Sequence, residues 1–446
     1  MSDASTLGGN PAGGAAPSTH ELLRLRVQDR LRRDGADDLS VHHTGTRDRN
    51  AVLAAIREAV DDYQREADKG IGSAGRLSRP DETMARLARS LLEAGPLTKY
   101  FNDPERAGEV SLKRGVITAT LRSGRLEVDP EPTCEAEMMA IVTRLLAEAG
   151  APVDLEHTIV VHQIWNNQVR ASVSIPPTAS CLDCTFRIYR KQRTTLADLV
   201  EWGSMSPAAA NVLAAMSLAK VRRLISGEPG SGKSTVTAAL VAAVPASTNV
   251  RINQKYRELT SDQHLGGDWL AGPANLTLRD LAQAQLNFAP GMVVSAETLG
   301  PEAYDLIRAA NSGCAFISTV HSLSATEALE TLAVAAKEAA PADSTAELRR
   351  TFARLIDVVV HCEATPTHLV EDHGKLHQVM EISCVPPQLS DDQFVLEPLF
   401  KREELGAPLE YRGPQALTPE FERRVNRALP KGITLRDLCE GTASLL

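Results

Sequence analysis

The chain has 446 residues, 43% hydrophobic and 24% charged, which is enough for two or three domains that each bury a core. A formal net charge of −9 argues against a nucleic-acid surface, and no apolar run reaches membrane-spanning length. No signal peptide opens the sequence, and seven irregularly spaced cysteines fit reduced thiols, so the expected setting is the cytoplasm with no direct membrane span.

Residues 1–17 are Gly, Ala, Ser and Pro with almost no large apolar group, and predict a disordered tail. A helical extension is expected over 18–94. Ser18 and Glu21 have capping-box spacing ahead of Leu22, Leu23, Leu25, Val27 and Leu31. Two more helical runs, 47–65 and 81–93, flank a Gly/Ser linker at 70–75. Over 95–194 the texture changes to β-like runs (115–121, 158–163, 169–175) and one amphipathic helix (134–149), an α+β domain. A linker at 195–206 holds a helix at 196–202. From 207 to 446, beginning with a helix at 207–218, helices alternate with short apolar strands at 250–253, 292–295, 315–319 and 356–362. That alternation predicts an α/β domain whose mostly parallel sheet carries helices on both faces. The Gly-rich segment 262–275 has no clear periodicity.

One loop in that last domain carries explicit chemistry. Gly227-Glu228-Pro229-Gly230-Ser231-Gly232-Lys233-Ser234 is a complete G-x-x-x-x-G-K-S sequence between an apolar strand (221–226) and a helix (235–244) stopped by Pro245. Its glycines allow turns closed to side chains with a Cβ, so successive N–H groups, through Thr235, can face phosphate oxygens. Lys233 is placed for the β- and γ-phosphates and Ser234 for Mg²⁺, so ATP with Mg²⁺ is the expected ligand. The bland alternative is a glycine-rich turn with no ligand.

Two later strand ends point the same way. Gly291 to Glu297 is an apolar strand ending in an acid, and Glu297 either polarises water beside Mg²⁺ or is a solvated residue starting the helix at 301–311. Ser312 to His321 is a second such strand, ending in Thr319 and His321. A lone histidine at a strand end is ordinarily a surface or core residue. Two successive strands delivering Glu297 and His321 to the edge that carries Lys233 favour a γ-phosphate sensor.

Together, the phosphate loop, the strand ending in Glu297 and the SGCAFISTVH stretch before a helix resemble the type II/type IV secretion and type IV pilus ATPase superfamily. Within it, three stretches resemble the CpaF-like, Tad/Flp pilus branch: Arg170 to Pro177 (R-V-N-A-V-I-P-P there), Thr185 to Lys191 (T-I-R-R-F-R-K) and Thr195 to Val200 (T-L-E-D-L-I). The likeness spans about residues 85–365. It implies a RecA-like P-loop NTPase domain behind an α+β N-terminal domain, and a homo-oligomeric ring, usually a hexamer. It also implies ATP gripped between the two domains with help from Arg170, Arg187 and Arg190, and motion passed to an inner-membrane platform protein that recruits the ring to the membrane periphery. Each of those arginines, taken alone, also reads as an ordinary surface or salt-bridge residue.

Departures from the family pattern are specific. Its acidic box, T-I-E-D-x-x-E-L, is Ile252 to Leu259 here, with Gln254-Lys255 for the Glu-Asp pair and only Glu258 keeping an acid beside the catalytic candidates Lys233, Glu297 and His321. If those side chains face the metal, the change weakens Mg²⁺ or water activation. The arginine of G-E-x-R is Leu299, and the first histidine of the histidine box is Cys314. Three readings therefore stay open: a secretion or pilus motor, a degenerate ring subunit that binds ATP with little hydrolysis, and a nucleotide-gated scaffold. Other signals count for less. Cys181 and Cys184 lack a second pair for zinc; His361, Cys362, His368, His373 and His377 read as a hairpin turning at 371–374; and the basic run 187–193 suits phosphate contact within a ring better than lipid or nucleic acid.

Overall fold

The computed structural model describes residues 18–33, 49–71, 75–189, 193–272, 275–366 and 376–446. The expected disordered tail, linker residues 72–74, Arg190, His368, His373 and the turn at 371–374 lie outside them. The described residues fall into two compact units, one within 1–120 and 126–188, the other within 121–125 and 189–446.

The first unit begins with three helices, α1 (Thr19–Arg33), α2 (Arg49–Asp68) and α3 (Pro80–Leu92). The Ser18 hydroxyl accepts from Glu21 N–H at 3.2 Å, capping α1, and Pro80 opens α3 where its missing N–H costs nothing. Leu23, Val27, Ile56, Val60, Tyr63 and Leu87 form their shared core. The short α4 (Thr98–Phe101) leads into β1 (Ala107–Lys113), β2 (Val116–Leu121), β3 (Leu126–Val128), α5 (Glu135–Glu148), β4 (Ile159–Ile164), β5 (Val169–Ser174) and β6 (Asp183–Ile188). The six strands form one sheet in the order β3-β2-β1-β6-β5-β4. Strands β1 and β6 were not among the expected ones. Both carry a two-residue alternation that was there to be read: Val110 and Leu112 are buried between the exposed Glu109, Ser111 and Lys113 in β1, and Cys184, Phe186 and Ile188 are the buried residues of β6.

The second unit holds α6 (Leu196–Glu201), α7 (Pro207–Leu218), β7 (Arg223–Gly227), α8 (Lys233–Ala242), β8 (Val250–Gln254), β9 (Gly267–Leu270), α9 (Leu278–Gln285), β10 (Met292–Ser295), α10 (Ala303–Asn311), β11 (Ala315–His321), α11 (Ala325–Ala339), α12 (Thr345–Leu355), β12 (Val358–Ala364), β13 (His377–Cys384), β14 (Glu397–Lys401), β15 (Glu410–Tyr411), α13 (Pro419–Asn426) and α14 (Leu435–Cys439). Its nine-stranded sheet runs β15-β14-β13-β12-β7-β11-β10-β8-β9. The six strands from β12 to β9 are parallel, and β13 to β15 add antiparallel pairs, so the sheet is mostly parallel as expected. Alternate residues of each strand feed two cores. Ile225, Val294, Ile317 and Val360 pack with α7 and α8, while Leu224, Phe316 and Val359 pack with α10, α11 and α12. Strand β9 lies in the segment without periodicity. It is an edge strand with all four residues half-buried, so no two-residue alternation could mark it.

Arg223 opens β7, the strand that enters the phosphate loop, and is fully buried. Its Nη1 donates to Ser217 Oγ at 2.7 Å, but Nε and Nη2 have no hydrogen-bond partner among the described residues. Burial pushes its pKa down to about 9, which still leaves a charge at neutral pH. Ser217 Oγ also bonds Leu213 O at 3.1 Å and Leu240 O at 3.2 Å, so removing the guanidinium orphans nothing there. Arg223→Met is expected to stabilise the unit by about 1–4 kcal/mol, read as a higher unfolding midpoint; a lower midpoint would contradict this.

Candidate functional site

Strand β7 lies between β11 and β12, with all five residues buried. Gly227 ends it at φ +146°, and a Cβ there would collide with the Cys362 carbonyl, so the close approach of β12 demands glycine. Gly232, at φ +97°, is the left-handed residue that turns the chain into α8. The first N–H groups of α8 have no intrahelical acceptor and face out of its positive end. Ser231 Oγ is buried without a hydrogen-bond partner among the described residues. These unspent donors fit a phosphate group. Ser234 and Thr235 occupy the first turn of α8, half-buried, and the Ser234 hydroxyl suits a divalent cation there.

Lys233 is only 7% exposed. Its Nζ donates to the carbonyls of Gly227 and Glu228, both at 2.8 Å, and lies 3.1 Å from His321 Nδ1. The ammonium can only donate, so Nδ1 must accept and the imidazole proton sits on Nε2. That Nε2 is 3.2 Å from Glu297 Oε1. Three sequence-predicted residues thus form one line, Lys233–His321–Glu297. His321 reaches it as the last residue of β11, at the strand end where the sequence places it, paired with Gly227. The acid and the imidazole are more than a third exposed, which leaves both open to a ligand or water.

A group of hydroxyls that sequence reading missed holds Glu297 in place. Ser295 Oγ donates to the Glu297 carbonyl at 3.2 Å, Thr298 Oγ1 lies 3.0 Å from Ser295 Oγ and 2.6 Å from Ser318 Oγ, and Thr319 Oγ1 donates to Ala296 O at 2.6 Å. The turn after β10 is therefore bonded to β11. The available signal was the hydroxyl content of both strand ends.

Gln254, where the resemblance leads to the expectation of an acid, is tied into its own loop. Gln254 is 1% exposed, and its amide faces its own loop rather than a metal position. Nε2 donates to Leu259 O at 2.9 Å, and Oε1 accepts from the N–H groups of Glu258 and Leu259, both at 2.9 Å. A carboxylate could accept these two bonds but not donate the third. Glu258 accepts from Tyr189 OH at 2.9 Å. Cys314, in place of the box histidine, is buried and donates to Pro290 O at 3.1 Å.

His361 belongs to the back wall of the loop. Its Nδ1 is 2.9 Å from Ser226 Oγ and its Nε2 is 3.4 Å from Glu363 Oε1. Burial lowers its pKa below the ordinary histidine value, against the pull of Glu363 and Glu381. Burial likewise pushes the Cys362 thiol up to about 12, which makes it a packing residue. Strands β12 and β13 pair antiparallel, as the expected hairpin requires. Among the described residues, no group of three His, Cys, Asp or Glu side chains could hold a metal ion. In the first unit, Arg170 and Arg187 sit directly opposite in the β5–β6 register, and Glu109 is opposite Arg187 on β1.

Gln254→Glu, which restores the family's acid, is expected to destabilise the protein by about 1–3 kcal/mol, because Leu259 O loses its donor and a charge is buried. Urea denaturation measures it, and an unchanged midpoint would contradict the clamp.

The type II/IV secretion system protein family matches residues 128–405, more than half of the chain. The type IV secretion system protein PtlH of Bordetella pertussis is 35% identical over 117 residues, 24% of this chain and 34% of PtlH. The type IV secretion system protein VirB11 of Bartonella quintana is 28% identical over 148 residues, 31% of this chain and 42% of VirB11. The matched stretches span about half of the length of such curated relatives, or less. Among solved structures, the pilus retraction motor PilT with bound ADP is similar at a TM-score of 0.48 and 16% identity, over 66% of this chain and 83% of that one. With a mostly parallel sheet that carries the G-x-x-x-x-G-K-S loop on a central strand, and with that family match, the chain belongs to the type II/IV secretion system protein family.

Proposed function

We propose that this protein is a P-loop ATPase of a type II/IV secretion or Tad-type pilus assembly system, which couples ATP binding and hydrolysis to motion of a homo-oligomeric ring. The observation that carries this reading is the Lys233–His321–Glu297 line at the carboxyl edge of the sheet. A bound triphosphate offers Lys233 phosphate oxygens in place of the carbonyls of Gly227 and Glu228. His321 then loses its donor at Nδ1, takes up a proton there from solvent, and donates it in a hydrogen bond to a γ-phosphate oxygen. Glu297 orients a water whose oxygen attacks the γ-phosphorus as the bond to the bridging oxygen of ADP breaks, and it takes up the water proton. Magnesium at Ser234 supplies charge neutralisation for the β- and γ-oxygens when the nucleotide is bound.

Arg170 and Arg187 stand opposite each other in the β5–β6 register, and guanidinium forks suit phosphate oxygens. With Arg190 they are the residues we assign to closing over the phosphates. A hexameric ring, a cytoplasmic setting and recruitment by an inner-membrane platform protein complete the reading. A second reading, nucleotide binding without turnover by a degenerate ring subunit or nucleotide-gated scaffold, is favoured by one observation: the Gln254 amide is spent on its own loop, so this box offers one acid, Glu258, instead of three.

Phosphate release by the full chain with ATP and Mg²⁺ separates the two. The motor reading expects Lys233→Ala to abolish release and Glu297→Gln to lower it by about 10²–10⁴-fold while nucleotide binding persists. Wild-type turnover no higher than that of Glu297→Gln leaves only the binding reading.

A further inference from the structure

Strands β7 and β12 run toward the phosphate loop, and the residues just before them, Arg222 and Asp357, lie at the opposite end of the sheet. A cavity of about 800 Å³ opens there, lined by residues from 222, 353–357, 384–387, 397 and 415–427. Along β7 alone, about five residues at roughly 3.3 Å each separate it from Gly227. It shares no residue with the nucleotide site.

Five arginines line this cavity: Arg222, Arg354, Arg423, Arg424 and Arg427. Asp357 holds two of them, with Arg222 Nε 3.3 Å from Oδ2 and Arg424 Nη2 2.7 Å from Oδ1. Arg354, Arg423 and Arg427 make no salt bridge among the described residues, and Arg423 Nε donates only to the Pro419 carbonyl at 3.1 Å. Glu397 and Glu420 are the remaining carboxylates, so the lining carries two more positive than negative charges in a chain of net charge −9. Ile356, Val385 and Phe421 give it an apolar wall.

Size and charge together narrow the ligand. The volume falls in the range of small-molecule sites, roughly 300–1,000 Å³. A surplus of two positive charges matches a phosphomonoester, which carries about −1.5 to −2 at neutral pH. Guanidinium forks are the side chains best shaped for its oxygens. We propose that this cavity binds a small soluble phosphomonoester whose organic part, apolar or ring-containing, rests on Phe421 and Ile356. Because it uses none of the phosphate-loop residues, it stands or falls apart from the ATPase reading.

Calorimetric titration of the full chain with phenyl phosphate, in saturating ADP and Mg²⁺ to fill the phosphate loop, tests it. The expected result is one site per chain. Affinity should be unchanged in Lys233→Ala and in the control Arg349→Ser, and weakened at least about tenfold in the Arg354→Ser, Arg427→Ser double variant. Thermal unfolding by circular dichroism checks that the double variant folds; if it does not, the single, surface-exposed Arg423→Ser carries the same expectation. The proposal is overturned by no binding to wild type, by loss of binding in Lys233→Ala, or by undiminished binding in the arginine variants. Equal affinity for phenyl sulfate would reduce the cavity to a generic anion patch and overturn it too. Capture by phosphatidic-acid vesicles through the same arginines, without phenyl phosphate binding, would reassign the site to a lipid headgroup.

Discussion

A buried ammonium needs partners, and Lys233 finds them in the carbonyls of its own loop and in His321 Nδ1. Much of the site's geometry follows from that constraint. Because the ammonium only donates, it fixes the His321 tautomer, and the tautomer aims Nε2–H at Glu297. The carbonyls it occupies belong to a loop whose first glycine is pressed against the Cys362 carbonyl of β12, so the position of Lys233 depends on the register of three parallel strands. The loop is held shut by contacts that a polyanion can replace at little cost, since phosphate oxygens accept the same hydrogen bonds and add opposite charge.

The parallel sheet supplies the rest. Each strand that ends at the loop's edge delivers one chemical group there, and hydroxyls at those ends tie neighbouring strands to each other: Ser226 to His361, Thr298 to Ser318, Thr319 to Ala296. Such bonds fix the backbone that carries Glu297. The Gln254 amide does comparable work on the next strand, where it clamps a five-residue turn by donating as well as accepting. At a position where the resemblance leads to the expectation of an acid, the amide thus supplies a donor that a carboxylate lacks.

What could be read from residues alone was what lies close together along the chain. The phosphate loop, its entering strand and departing helix, and the two strand ends carrying Glu297 and His321 each declare themselves within about ten residues. Contacts made across the fold did not. Ser226 and His361 are 135 residues apart and meet only through sheet register. Arg223 sits inside a strand that its arginines make look half-exposed, yet it is buried. Strand β9 lacks the clean two-residue alternation that marks a half-buried strand, whereas β1 and β6 carry it over only five or six residues among polar neighbours. Gln254 shows why comparing residue types is not enough: set against an acid it looks like a loss, whereas its hydrogen bonds show a donor that an acid cannot provide.

The central claim is that Lys233 and His321 exchange their present partners for a triphosphate. The most direct measurement is a crystal structure of the full chain with a non-hydrolysable ATP analogue and Mg²⁺. The account predicts the Lys233 ammonium on β- and γ-phosphate oxygens, His321, then protonated at Nδ1, donating from Nδ1 to the γ-phosphate, and Glu297 beside an ordered water. An analogue bound elsewhere, with Lys233 still on the Gly227 and Glu228 carbonyls, would contradict it.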